Sequence, residues 1–83
     1  MTVARLRLFG AAVDAAGRRE SDVDGETVDE VLAAACAQYG DAFADVLGRS
    51  KVWVNGEPAA PGDRVAASDE LAVLPPVSGG SGR

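Results

Sequence analysis

The amino-acid sequence predicts an α+β fold, a mixed sheet packed on one main helix and followed by an extended C-terminal tail. Three observations predict it. Residues 2–9 alternate as a half-buried strand does, residues 28–39 carry one helical apolar stripe behind a capping signal, and residues 51–55 and 71–74 return to strand-like runs bounded by turn residues. At 83 residues the chain has room for one domain, near the lower size limit for a core built without disulfides or metal. The aromatic residues are Phe9, Tyr39, Phe43 and Trp53 alone, so the core must be made mainly of Val and Leu.

Taken in order, Thr2 to Phe9 places Ala4, Leu6 and Leu8 on one face and Val3, Arg5, Arg7 and Phe9 on the other. Ala11 to Ala16 reads as a short helical turn closed by Gly17, and Arg18 to Val23 returns as a second strand with a turn at Asp24-Gly25. Thr27-Val28-Asp29-Glu30 has the capping-box spacing: the Thr hydroxyl accepts the Glu30 amide and the Glu carboxylate reaches back to the Thr27 amide. A helix therefore starts there. Val28, Val31, Leu32, Ala35, Cys36 and Tyr39 form its single apolar stripe, and Gly40 is placed to end it. Asp41 to Leu47 reads as a second short helix, capped by Asp41 and stopped at Gly48.

Lys51 to Asn55 is a strand with Val52 and Val54 on one face and Trp53 on the other, and Asn55-Gly56 signals a tight turn. Pro61-Gly62-Asp63 marks another turn before Arg64-Val65. Ser68-Asp69-Glu70 leads into a last strand, Leu71 to Leu74, which Pro75-Pro76 stops because proline cannot donate to a ladder. Strands from both ends of the chain flanking one strong helix suggest a β-grasp. A split βαβ of ferredoxin type would want a second long helix, and Asp41 to Leu47 is too short for it. The expected boundaries are a domain over residues 1–74 and a tail over 75–83.

Composition excludes several functions. The net charge is -5 with a pI near 4.4, and no Lys/Arg stripe interleaves with aromatic rings as a nucleic-acid surface requires. Such a chain would be steered toward basic docking surfaces on other proteins. It has no histidine and one cysteine, so neither a His-based nucleophilic dyad nor a thiolate metal site is available. Cys36, on the apolar stripe, reads as a small buried hydrophobe. Asp22, Asp24, Glu26, Asp29 and Glu30 surround a helix N-terminus, where negative charge is favourable for structural reasons, and the remaining acids lie mostly beside turns. The opening residues lack the apolar centre of a signal peptide, and no segment has the length needed to cross a bilayer; the expected location is cytoplasmic, away from membranes.

What remains is the end of the chain, Pro75-Pro-Val-Ser-Gly-Gly80 followed by Ser81-Gly82-Arg83. Two prolines push the chain away from the sheet in an extended course. Two glycines remove Cβ atoms, so that a partner can close around the backbone. That suits threading into a narrow channel, although composition alone equally supports an inert end.

Read together, these segments resemble the MoaD/ThiS family of ubiquitin-like sulfur carriers, and within it the small subunit of molybdopterin synthase. The resemblance covers nearly the whole chain. It rests on Leu6-Arg-Leu-Phe-Gly10 with its short helix closed by Gly17, the capped helix from Thr27, Val52-Trp-Val-Asn-Gly56, and Asp69-Glu-Leu-Ala-Val-Leu-Pro-Pro-Val-Ser-Gly-Gly80. The last segment is the specific part, because a strand running into Pro-Pro-Val-Ser-Gly-Gly says far more than Gly-Gly alone.

The resemblance implies a ubiquitin-like β-grasp and a function in molybdenum-cofactor synthesis. An E1-like adenylyltransferase and sulfurtransferase would use ATP to activate the Gly80 carboxylate, and a persulfide sulfur would convert it to a thiocarboxylate. The charged tail, Pro75, Pro76, Val77, Ser78 and Gly79 leading to Gly80, would enter the large synthase subunit and give its sulfur to the cyclic pyranopterin precursor. The chain itself would bind no cofactor, and catalytic side chains would belong to its partners. Family members act with the Gly-Gly carboxylate free, whereas here three residues follow and displace the terminus by roughly 10 Å. Either a processing protease removes Ser81-Gly82-Arg83, or these residues are not native, or this copy does not become a thiocarboxylate. Phe9, Trp53 and Leu74, which alternate away from the core, are the expected partner surface. A carrier for cysteine or thiamine synthesis would use the same terminus with other partners. Outside that chemistry stand a protein modifier joined to lysine through Gly80, which a lysine-linked adduct would reveal, and an interaction module with an inert tail.

Overall fold

The structure, a computed structural model, describes residues 3–76. Its elements are β1 (Val3–Leu8), α1 (Ala11–Ala16), β2 (Glu20–Asp24), α2 (Val28–Tyr39), α3 (Asp41–Gly48), β3 (Lys51–Val54), β4 (Glu57–Pro58) and β5 (Glu70–Leu74). The strands form one mixed sheet in the order β2-β1-β5-β3-β4, in which β1 and β5 run parallel at the centre and every other pairing is antiparallel. This is the β-grasp expected from the sequence, with five strands where the turn-rich section had concealed one.

The alternation in β1 does what its period demands, with Ala4, Leu6 and Leu8 buried and Val3, Arg5 and Arg7 exposed. The same register carries across the sheet. Leu6 lies beside Leu71 and Leu71 beside Val54, while Leu8 lies beside Val73 and Val73 beside Val52. Against these inner rows α2 sets Val28, Val31 and Ala35, which are buried, while Leu32, Cys36 and Tyr39 lie partly buried at the edge of its stripe. Tyr39 reaches over β2 and donates its hydroxyl to Ser21 Oγ at 2.6 Å. The largest fully buried side chain is Phe43 of α3, whose ring meets that of Tyr39 edge-on at 5.2 Å.

Several boundaries differ from the sequence expectation, each for a local reason. The Thr27 side chain does cap α2, accepting Glu30 N–H at 3.2 Å, but the returning Glu30 carboxylate takes the amide of Glu26 at 2.9 Å rather than that of Thr27. Two further amides at that end, those of Val28 and Asp29, donate to the carbonyls of Asp63 and Pro61, so the loop after β4 completes the cap. At α3 the cap residue is Gly40 with φ 94, and Asp41 is the first helical residue without a side-chain cap bond. Gly17 closes α1 in the left-handed conformation as expected, and the bend at Arg18-Arg19 delays β2 to Glu20.

Asn55 and Gly56 both have positive φ, 51° and 85°, as a two-residue hairpin of the primed type requires. That turn folds Glu57 and Pro58 back as β4, pairing Trp53 with Pro58 and Val54 with Glu57. Proline is tolerated because β4 is an edge. Across the turn, Asp69 accepts the Ala66 amide at 2.8 Å and the Asn55 side-chain amide at 3.0 Å, and these bonds hold its carboxyl below the usual carboxylate range. The contribution is present above the ordinary carboxylate pKa and is lost as pH falls through the lowered value.

Candidate functional site

The site is built where the tail leaves the sheet. β5 ends at Leu74, whose backbone neighbour on one side is Lys51, the first residue of β3. On the other side the parallel register puts Leu8 beside Val73, so that Phe9-Gly10 flanks the start of the tail. Gly10, with φ 55, borders the tail root: a Cβ there would meet the ring of Pro75 at an ordinary contact distance of 3.9 Å. Pro75 is partly buried and Pro76 exposed. Val77, Ser78, Gly79 and Gly80, with Ser81, Gly82 and Arg83 beyond, lie outside the described residues.

Next to that exit the sheet face turned away from α2 divides into two halves. One transverse row runs Glu20, Arg7, Ala72, Trp53, Pro58 through all five strands. Its β3–β4 end is apolar and joins Leu74 at the tail root, with Trp53 and Leu74 both partly buried. The β5 neighbour of Trp53 in this row is the small residue Ala72. Phe9 is 41% exposed, with the Arg7 guanidinium carbon 6.0 Å from its ring centroid. Phe9, Trp53 and Leu74, expected from alternation to face away from the core, lie near the root of the tail, with Ala72 and Pro58 as the register neighbours of Trp53. The sequence signal for Pro58 was the Asn55-Gly56 turn, which places residue 58 opposite 53.

The other half of this face is ionic. Arg5 bridges Asp22 at 3.0 Å and Glu20 at 2.8 Å, and Arg7 lies 3.6 Å from Glu70. Hydrogen bonding to Asp22, with the charges of Asp22 and Glu20, raises the Arg5 pKa above its ordinary value. These pairs are exposed and contribute little to stability. Their role in the site is to leave the apolar half as the distinct region.

Two open clefts flank this end of the fold. One, about 520 Å³, is lined by Arg7, Phe9, Gly10, Val13, Arg19 and Glu20. The second, about 510 Å³ and more apolar, is lined by residues that include Val28, Leu32, Lys51, Trp53 and Pro58. Among the described residues no three acidic or cysteine side chains converge to hold a metal ion, and no helix is long and apolar enough to cross a membrane.

Cys36 is partly buried against the core, and burial pushes its thiol pKa up. A thiol so placed is a poor nucleophile at neutral pH. Cys36→Ala is expected to lower stability by about 1 kcal/mol and to leave any chemistry of the tail intact. Chemical denaturation paired with a transfer assay checks this, and loss of transfer in a folded Cys36→Ala chain would make Cys36 a sulfur relay instead.

With this geometry in hand, comparison with known proteins gives a consistent set. Residues 6–80 match the ThiS family. Small archaeal modifier protein 1 of Haloferax volcanii is 38% identical over 84 residues, covering 89% of this chain and 97% of that one. Its crystal structure superposes with a TM-score of 0.83 at 36% identity, covering 93% and 98% of the two chains. The solution structure of small archaeal modifier protein 1 of Methanosarcina acetivorans gives a TM-score of 0.85 at 28% identity over 95% and 97%. A complex of subunits 1 and 2 of the molybdopterin-converting factor of Helicobacter pylori contains a chain alike in fold alone, with a TM-score of 0.70 at 19% identity over 94% and 99%.

Proposed function

This chain belongs to the ThiS family, and from that premise we propose that it is a ubiquitin-like sulfur carrier of molybdenum-cofactor synthesis, the small subunit of molybdopterin synthase, working through the Gly80 carboxyl. The observation that carries the reading is the tail root: two prolines leave the last strand beside a compact apolar patch, so one partner can hold the patch and take the tail. The pairing of β5 with β1 and β3 fixes where the tail starts.

The chemistry follows from the weakness of a carboxylate as an electrophile. An adenylating partner would let the Gly80 carboxylate attack the α-phosphate of ATP, releasing pyrophosphate. A persulfide sulfur would then displace AMP, and a thiol would cleave the resulting acyl disulfide to leave the thiocarboxylate. The large synthase subunit would receive the tail, as the Helicobacter pylori subunits form a complex. In the full chain the Gly80 carbonyl is held in an amide to Ser81, so charging at Gly80 requires that bond to be cut. This chain contributes position and one reactive group; no side chain of its own is asked to move a proton.

A second reading, a protein modifier joined through Gly80 to a lysine of another protein, is favoured by the 38% identity to the Haloferax volcanii modifier. Both readings share the activation step and part at the acceptor. The test incubates the full chain and a chain ending at Gly80 with ATP, an adenylating enzyme and a sulfur donor, and measures intact mass. Sulfur replacing oxygen on the shorter chain alone is the expected result. Lysine-linked adducts on other proteins would favour the modifier. Equal charging of the full chain at Arg83 would sink the role of Gly80.

A further inference from the structure

On the side away from the hairpin the sheet ends in β2, a strand of 5 residues that carries no proline and pairs with β1 without a break in register. Which of its backbone groups point outward follows from that register. The Leu8 amide donates to the Arg19 carbonyl at 2.8 Å, and the register that pairs Arg7 with Glu20 continues to set Leu8 opposite Arg19, so these two are a hydrogen-bonded pair. Such pairs alternate along an antiparallel ladder. Ser21 and Val23 therefore turn their N–H and C=O toward β1, and Glu20, Asp22 and Asp24 turn theirs away from the sheet. The far side of β1 agrees: Arg5, opposite Asp22, sends its amide the other way, to the Asp69 carbonyl. Among the described residues no other backbone segment pairs with this edge.

The residues with outward backbone groups are also the acidic ones. Glu20, Asp22 and Asp24 are exposed on the outer face, while Val23 is buried and Ser21 half-buried on the inner one. Arg5 bridges Glu20 and Asp22 from β1, so one cation faces three acids and the edge remains acidic. On the inner side Tyr39 leans over the strand to reach Ser21 Oγ and is itself only partly buried.

We propose that β2 is a docking edge for a basic strand of a partner protein, an extended segment in which Lys or Arg alternates with apolar residues and which adds to the sheet beside β2. Strand addition uses the open amides and carbonyls for affinity and the alternating side chains for specificity. Cations on one face of the incoming strand meet Glu20, Asp22 and Asp24, and its apolar residues fall on the inner side next to Tyr39. The same acids exclude a second copy of this chain, because two β2 strands laid side by side would set acid against acid. A purely defensive edge would repel that copy and take no ligand, which is the alternative the experiment decides. β2 and β4 are opposite edges of the sheet, so this surface is separate from the apolar patch around Trp53 and does not depend on the chemistry of the tail.

The experiment titrates the isotope-labelled full chain with an end-blocked peptide of alternating Lys and Val, about seven residues long as strands commonly are. The readout is amide hydrogen exchange, residue by residue. The expected result is new protection at Glu20, Asp22 and Asp24, whose amides face outward, with an affinity that falls as salt is raised. The same peptide N-methylated at every residue keeps its charge but has no amide to donate, and should bind at least about tenfold more weakly. Asp24→Asn should weaken binding of the unmethylated peptide about threefold without altering the fold. Equal binding of the methylated and unmethylated peptides would reduce the effect to charge attraction and overturn the proposal. So would an alternating Glu and Val peptide that binds as well, an absence of binding, or protection of the three amides that grows with protein concentration in the absence of peptide, which would make a second copy the occupant.

Discussion

Phe43→Ala is expected to abolish cooperative folding or to lower the melting temperature by at least ~15 °C. Phe43 is the largest fully buried side chain, and it stands on a helix of 8 residues with no side-chain cap at its start. A helix that short has little stability of its own and is held by what it buries. α3 packs on α1 and α2, and Phe43, its ring edge-on to Tyr39, is its fully buried residue, with Val46 and Leu47 packed partly buried against the same core. Truncating a buried Phe to Ala typically costs about 3–5 kcal/mol. Domains of this size have total stabilities near the bottom of the roughly 5–15 kcal/mol range, and each kcal/mol is worth about 4–8 °C in a domain this small. Phe9→Ala, which removes the same ring from an exposed position, serves as the comparison and should shift the transition by only a few degrees. Thermal unfolding by far-ultraviolet circular dichroism decides the matter, and equal effects of the two substitutions would show that α3 is not anchored through Phe43.

That the largest buried side chain was not singled out in the sequence marks the limit of periodicity. β1 was legible because Ala4, Leu6 and Leu8 alternate with exposed residues along one strand, and α2 because Thr27, the Val28 stripe and Gly40 all act within a single helix. Phe43 sits in a segment of eight residues, too short for its apolar spacing to separate a core anchor from a surface aromatic. Val65 was hidden for a related reason. It is buried in a turn-rich loop, where its amide donates to the Glu26 carbonyl and no repeating pattern announces it. β4 escaped because two residues carry no period at all, although Asn55-Gly56 had signalled the turn that creates it. The Glu30 carboxylate went to Glu26 rather than Thr27 because the chain before α2 approaches it closely: Gly25 leaves no room for a Cβ, which would stand 2.7 Å from the Val31 amide nitrogen. The candidate site divides in the same way. That Trp53 and Leu74 face away from α2 follows from alternation, but that Trp53 lies beside Ala72 and Pro58, and Lys51 beside Leu74, depends on strand register, which no local signal specifies.

Trp53→Ala is expected to weaken binding to the partner proposed to take the tail by about 2–4 kcal/mol, a loss of roughly 30- to 1000-fold in affinity. The indole is the largest side chain on the apolar half of the outer face, in a row with Ala72 on one side and Pro58 on the other. A partly buried ring retains area to cover, and aromatic anchors at the centre of a patch carry most of the energy of such interfaces. The fold should survive the change, because the buried core lies on the opposite face, where Leu6, Leu71 and Val73 are untouched. Arg5→Ala on the ionic half of the same face is the control. Removing an exposed ion pair there should alter the salt dependence and rate of association more than the equilibrium affinity. Calorimetric titration of each variant against the partner separates these effects. If Trp53→Ala binds as tightly as the native chain while Arg5→Ala does not, recognition lies on the ionic half and the apolar patch at the tail root is not the docking surface.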